Sequence, residues 1–226
     1  FFFASACGFS GQIYFADLFQ QGYNVLFTSW PGIINLALDQ DVSAERALSS
    51  PHLYQDGVRN IHFNGQRLWT FVACAVAHAA VCFFIPMAVF GHGATTEDGH
   101  TGGFWMCSTV SYICVVLTVT AKLASMTVNW TVYVHASTGG ALAMFSSALV
   151  LLCTAWPGMY LQPQVLGVIG DLSRQYTFWF VIILVPIMAL TLDLGASVLH
   201  TQGQAAGGLK QSRSPTRPPV PDLEIG

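Results

Sequence analysis

CGFSGQIYFADLFQQGYNVLFTSWPGIINLALDQDVS, residues 7–43, joins a polar turn, an apolar crossing and a cluster of acids, and its reading decides the rest of the chain. The crossing, residues 13–38, is long and apolar enough to span a bilayer. Its middle nevertheless holds Asn24, Thr28, Ser29, Pro31 and Gly32, residue types that are costly in lipid. Asn24 and Thr28 are four apart, so an α-helix places both on one face. Pro31 has no N–H and leaves the carbonyl of Phe27 without its helical donor. A freed carbonyl beside an amide and a hydroxyl is a polar notch. In transporters, interrupted helices of this kind line the route of a polar solute, because irregular backbone at membrane depth survives only inside protein or beside water. The charges of Asp39 and Asp41, with Gln40 between them, mark a water interface. They read either as an interfacial stop, with Asp41 or Ser43 capping a short helix over 44–49 ended by Pro51, or as a coupling point to a soluble domain.

Composition places this stretch in a membrane protein. Apolar residues make up 53% of the chain, charged residues 8%, and the mean hydropathy is +0.54, the signature of a polytopic helical protein rather than a soluble core. A net charge of −3 and a pI near 6.1 exclude nucleic acid as a partner, which requires a basic patch. The six cysteines lie in apolar runs without C-x-x-C spacing and read as small core residues. No Lys or Arg precedes Arg46, so the start lacks the basic region of a secretory signal, and residues 1–9 read as a truncated helix of a fragment.

The expected architecture is an all-α, polytopic transmembrane bundle: a partial helix at 1–9 and five full spans at 13–38, 68–90, 104–126, 130–156 and 176–199. Together these form one membrane domain over 1–200, followed by a disordered tail at 201–226 rich in Gly, Gln, Pro and Ser. Within the spans, Pro86 is an expected kink, Pro186 lies at mid-depth, and Ala136, Gly139, Gly140 and Ala143 form a small-residue stripe for close helix contact. Asp193 is read either as lying near the head groups or as an intramembrane acid paired to another helix, and His78 as bonded to a neighbour. The loop at 91–103 carries His92, Glu97, Asp98 and His100 among glycines; it reads as solvated rather than as a metal site. Alternating spans put seven of the eight basic residues on one side, with Arg174 alone on the other. By the positive-inside rule the acid cluster and the C-terminus are cytoplasmic, and the sequon at Asn129, on that side, is expected to stay unmodified.

Motifs add a family. GFSGQ at 8–12, NVLFTSWP at 24–31 and LDQDVSAE at 38–45 resemble the region around the sixth membrane helix of the type IV P-type ATPases, the phospholipid flippases. SPHLYQDG at 50–57, AKLA at 121–124, NWT at 129–131 with His135, and Phe178-Trp179 continue the resemblance in family order to about residue 199. It implies the C-terminal membrane part of an ATP-driven translocase, with 13–38 as the helix along which lipid head groups pass. On that resemblance Asn24, Thr28, Ser29 and Pro31 are substrate-path residues, and Asp39, Gln40 and Asp41 form the cytoplasmic coupling interface. It further implies that the later spans brace the transport helices and meet an accessory membrane subunit, and that ATP and Mg²⁺ are held by an N-terminal catalytic portion of the same ATPase. The chain contains neither a D-K-T-G phosphorylation motif nor a P-loop, so no catalytic residue or cofactor is expected within it. Two other readings stand beside this one: an orphan membrane module without transport, and a proton-coupled carrier using His78, His135 and Asp193 as a relay.

Overall fold

The computed structural model describes residues 2–40, 42–50, 65–91, 103–154 and 160–212. Among the described residues every regular element is helical. In chain order they are α1 (Phe2–Ala6), α2 (Asp17–Gly22), a π-helical turn (Tyr23–Thr28), α3 (Ser29–Leu38), α4 (Ala44–Ser49), α5 (Gly65–Phe90), α6 (Phe104–Met126), α7 (Val132–Thr154), a 3₁₀ turn (Pro163–Val165), α8 (Val168–Ser173) and α9 (Tyr176–Ser212). Four helices are long and apolar enough to cross a membrane: Arg67–Phe90, Phe104–Met126, Val132–Thr154 and Tyr176–Val198. Each overlaps an expected span. The crossing expected at 13–38 is a composite of α2, the π turn and α3, and starts at Asp17. At 1.5 Å per residue it is about 33 Å long, still the depth of a hydrocarbon core.

The late start of that crossing has a cause in α6. Ser108 Oγ donates to the carbonyl of Tyr14, and the Tyr14 hydroxyl lies 2.7 Å from Ser111 Oγ. Residues 14–16 are thereby held in a non-helical bend against the side of α6. Ahead of them the chain reverses through Gly8, Phe9 and Gly11, all with positive φ, and α1 packs Phe2 on Phe83 and Phe3 on Tyr14.

α6 is the centre of the molecule. About two-thirds of its span is inside the protein, against less than a third for each of the other three long helices. Its buried set mixes Val110, Ile113, Cys114 and Val116 with Ser108, Thr109, Ser111 and Thr118, as expected where small and hydroxylated side chains let helices approach closely. α5 and α9 pack on one side of α6 and on each other. On the far end, residues 162–172 fold inward. Gly167, at φ 81°, adopts a left-handed backbone and donates its N–H to the Cys153 carbonyl at 2.6 Å, which seats Val165 and Leu172 fully inside. All six cysteines are free thiols; Cys82, Cys107, Cys114 and Cys153 are buried.

Asp193 is paired across helices. Its carboxylate lies 2.9 Å from Lys122 Nζ and 3.1 Å from His78 Nε2, so one acid of α9 ties α6 to α5. His78 Nε2 also lies 3.0 Å from the Ala189 carbonyl. With two acceptors before it, that nitrogen carries the proton. His135 is elsewhere, stacked on Trp130 with ring centroids 4.7 Å apart, so the structure joins two of the three residues of the relay reading and leaves out the third.

Of the small-residue stripe, Gly140 is the working member. A β-carbon there would meet the Trp30 ring at 3.0 Å, whereas one at Gly139 would meet nothing. The last helix continues to Ser212, beyond residue 199 where the span was expected to end; extending a formed helix costs less than nucleating one, so even Gly- and Gln-rich sequence can follow. The rest of the tail, residues 213–226, lies outside the described residues, as do Asp41, the 51–64 loop, and His92, Glu97, Asp98 and His100.

Two stability predictions follow from this packing. Gly140→Ala is expected to destabilise the protein by roughly 1 kcal/mol through the Trp30 contact, while Gly139→Ala stabilises it by a few tenths to about 1 kcal/mol through helix propensity; thermal unfolding in detergent separates them. Asp193→Ala strands Lys122 and is expected to cost roughly 1–3 kcal/mol, between the exposed-pair and buried-pair limits. The same measurement on the Lys122→Met/Asp193→Leu double variant should recover most of the loss, because no charge is then left unpaired.

Candidate functional site: the interrupted crossing

The composite helix turns one face to the bundle at Phe19, Tyr23, Phe27, Pro31 and Asn35, each four residues from the last. Phe19 stacks on Tyr112 of α6, with centroids 5.2 Å apart, and Tyr112 donates its hydroxyl to the Phe19 carbonyl at 2.5 Å. Phe27 meets Phe145 of α7 edge-on. Asn35 Nδ2 donates to Thr127 Oγ1 at 2.7 Å, and Thr127 passes its own proton to the Leu123 carbonyl at 2.9 Å. In an uninterrupted α-helix a four-residue repeat drifts by about 40° per step, or about 160° over the run, and could not keep all five residues on one side. The wider π turn takes back part of that drift. It sits at the midpoint of the crossing, between the Tyr112 contact and the Asn35 contact, and directly ahead of Pro31, which supplies no N–H to the ladder.

The π turn also changes which polar residues share a face. Asn24 and Thr28, expected together on α-helical spacing, are separated: Thr28 is half-buried and donates its hydroxyl to the Tyr23 carbonyl at 2.7 Å. Asn24 is exposed and shares the open face with Ser29, five residues on, whose hydroxyl donates to the Asn24 carbonyl. The hydroxyl protons of Thr28 and Ser29 are therefore spent on backbone carbonyls, and the Asn24 amide is the polar group left open on that face. Pro31 is buried against the bundle, so it shapes the backbone and does not line the open side.

At the other end of α3, Asp39 accepts three backbone N–H groups: Asn129 at 2.8 Å, Val128 at 3.3 Å and Gln40 at 3.1 Å. Two of these belong to the turn between α6 and α7, so Asp39 pins the end of the crossing to that turn. The Asn129 N–H, foremost, holds the Asp39 carboxyl below its ordinary value. Gln40 is exposed and bonds the Val42 carbonyl at 3.0 Å. Ser43 stands at the start of α4 with an extended backbone and no capping bond from its side chain.

Sequence reading missed three partners of this site: Tyr112, Asn35 with Thr127, and Trp30 against Gly140. A second asparagine in an apolar crossing was the available signal for Asn35. Nothing in the sequence marked Tyr112, whose role depends on which helix lies beside residue 19.

Comparison with known proteins identifies the context of this geometry. The model of the phospholipid-translocating P-type ATPase C-terminal family matches residues 1–203. Among curated proteins the chain is 31% identical over 193 residues to the phospholipid-transporting ATPase C887.12 of Schizosaccharomyces pombe, a match covering 85% of this chain and 15% of the relative. It is 27% identical over 200 residues to phospholipid-transporting ATPase tat-1 of Caenorhabditis elegans (88% and 18%), and 29% over 220 residues to human phospholipid-transporting ATPase ID (89% and 18%). The chain thus spans less than a fifth of the length of these relatives.

The Asp39 contacts carry a sign for pH. A carboxyl held below its unfolded value stabilises the fold above that value and loses the contribution as pH falls through the folded one. The difference in thermal stability between the wild type and Asp39→Ala should therefore be constant from neutral pH down to the ordinary aspartate value of 3.8 and narrow only below it.

Proposed function

Because this chain belongs to the C-terminal membrane region of the phospholipid-translocating P-type ATPases, we propose that it is the membrane-embedded portion of an ATP-driven lipid translocase whose α2–α3 crossing lines the head-group path. The observation that carries this reading is the open Asn24 amide at the middle of a membrane-length helix, on a face shared with Ser29 and bared by a π turn. A primary amide offers two donors for phosphate oxygens and one acceptor for an ammonium or hydroxyl group. It therefore suits a zwitterionic or polar head group that moves past it while the acyl chains stay in the bilayer. Such a group at membrane depth is expensive unless it faces protein or a hydrated route.

α5, α6 and α9 supply the brace. The Lys122–Asp193–His78 cluster fastens them to one another, and the aromatic and hydroxyl contacts of α6 hold the entry to the crossing. Motion of the crossing relative to this block is transmitted at its cytoplasmic end through Asp39, Gln40 and Asp41; the bonds of Asp39 make α3 and the α6–α7 turn respond together. ATP and Mg²⁺, which the family implies, are held by catalytic domains beyond these residues and drive that motion. The distribution of basic residues places the C-terminus in the cytoplasm, and an accessory membrane subunit would meet the brace helices from the opposite side.

Asn24→Ala in the full-length protein tests the reading. Lipid transport should fall about tenfold, the worth of one hydrogen bond to a charged group, with the amount of folded protein unchanged. Equal loss of transport and folded protein would make Asn24 a structural residue; unchanged transport would leave the orphan-module reading.

A further inference from the structure

The hydroxyl bonds of the π turn differ from the bonds that other Ser and Thr residues make to carbonyls of their own helix. Within the helices, these bonds reach back three or four residues: Thr120 to Val116, Thr127 to Leu123, Ser146 to Leu142 and Thr154 to Val150 at four, Ser125 to Lys122 and Ser137 to Val134 at three. This is the reach an α-helix allows. Thr28 and Ser29 reach five residues back, to Tyr23 and Asn24. A carbonyl five residues away comes within range only where the turn is widened to the π form.

Both flanks of the turn are held. Ahead of it, Phe19 is stacked on Tyr112 and bonded through its carbonyl; behind it, Trp30 lies against Gly140, Asn35 is bonded to Thr127 and Asp39 to Asn129. The flanks fix the ends of the crossing, and the two hydroxyls meet the carbonyls that the widened turn leaves facing them. The consequence falls on the open face. In π register Asn24 and Val25 are both exposed along with Ser29. In α register, at about 100° per residue, Asn24 would stand about 140° around the helix from Ser29, and the amide would turn aside.

We infer that Thr28 and Ser29 are positioning residues: by bonding the Tyr23 and Asn24 carbonyls they hold the crossing in π register and so select Asn24 as the group presented to the passing head group. They act on the lipid through the backbone, not by contact. This rests on the reading that the open face lines the lipid path, but the register itself is measurable without reference to transport.

The first experiment is a distance. Spin labels are placed at Asn24→Cys and Val132→Cys, on the α7 helix to which α3 is tied, in full-length protein with the native cysteines replaced. Thr28→Val/Ser29→Ala, which keeps bulk but removes both hydroxyls, should move the distance by roughly 5 Å or more, as a rotation of one residue about a helix some 10–12 Å across requires. Thr28→Ser, which keeps the donor, should leave it in place. Should the double variant not fold, the single Thr28→Val and Ser29→Ala variants give the same comparison. A distance that stays put when the hydroxyls are removed overturns the inference.

The second experiment is a cycle on transport. Removing both hydroxyls should slow lipid transport about as much as Asn24→Ala does, and adding Asn24→Ala to that variant should cost little more, because the amide has already left the path. Multiplicative losses would mean that the hydroxyls contribute independently of Asn24 and would overturn the positioning role. If Asn24→Ala alone leaves transport intact, the lipid-path reading fails, while the distance still decides the register.

Discussion

The contact between Tyr112 and Phe19 is the constraint on which the rest of the structure depends. Tyr112 lies on the most buried helix, within ring contact of Phe15, Phe19, Tyr23 and Phe145, and its hydroxyl is spent on the Phe19 carbonyl. That bond satisfies a phenol that could find no water at its depth, and it fixes where the crossing begins its descent. From that fixed point, the chain must reach the Asn35–Thr127 bond on the other side of the bundle, close to a membrane thickness away. A plain α-helix would arrive with the wrong face turned inward. The π turn is the correction, and the polar notch is its by-product.

The notch is therefore inseparable from the packing around it. Pro31 weakens the ladder at one point, the hydroxyls of Thr28 and Ser29 take up displaced carbonyls, and the anchors at either end keep the irregularity from sliding along the helix. Irregular backbone at this depth would be prohibitive on a lipid-facing helix. It is sustained because the opposite face of the same segment buries Phe19 and Phe27 among aromatic rings. The brace formed by α5, α6 and α9 uses a different device. A single carboxylate shared between an ammonium and an imidazole ties three helices, and because the cluster is partly open it escapes the full cost of a buried ion pair.

This arrangement gives the family membership a physical content. In this C-terminal membrane region related to lipid-transporting ATPases, a packed block stands beside one helix that carries polar groups in its middle. Here the packed block is built from small residues, hydroxyls and one ion cluster, and the crossing lies along its neighbours on the face of Phe19, Tyr23, Phe27, Pro31 and Asn35. Asp39 illustrates the economy. A residue whose sequence position suggests an outward-facing coupling point also accepts the N–H groups of the neighbouring turn, so the end of the crossing and that turn behave as one piece.

Composition and hydropathy alone determined that the chain is a bundle of membrane-length helices, since runs of more than twenty apolar residues bounded by charges have no other stable arrangement in a bilayer. The motifs in residues 8–45 placed it in its family, and Asn24 with Pro31 located the interruption, because an amide and a missing N–H stand out in any apolar run. Tertiary structure alone decided which polar residues act together. Local spacing paired Asn24 with Thr28 through the α-helical repeat, and the bundle altered it: a four-residue row of contacts to α6 and α7 goes with a wider turn, in which Thr28 is half-buried while Asn24 and Ser29 are exposed. Asp193 likewise could stand in the sequence as either an interfacial or a paired acid. Only the placement of α5 and α6 beside α9 brings Lys122 and His78 within hydrogen-bond reach, because pairing across helices depends on distances that no single segment contains.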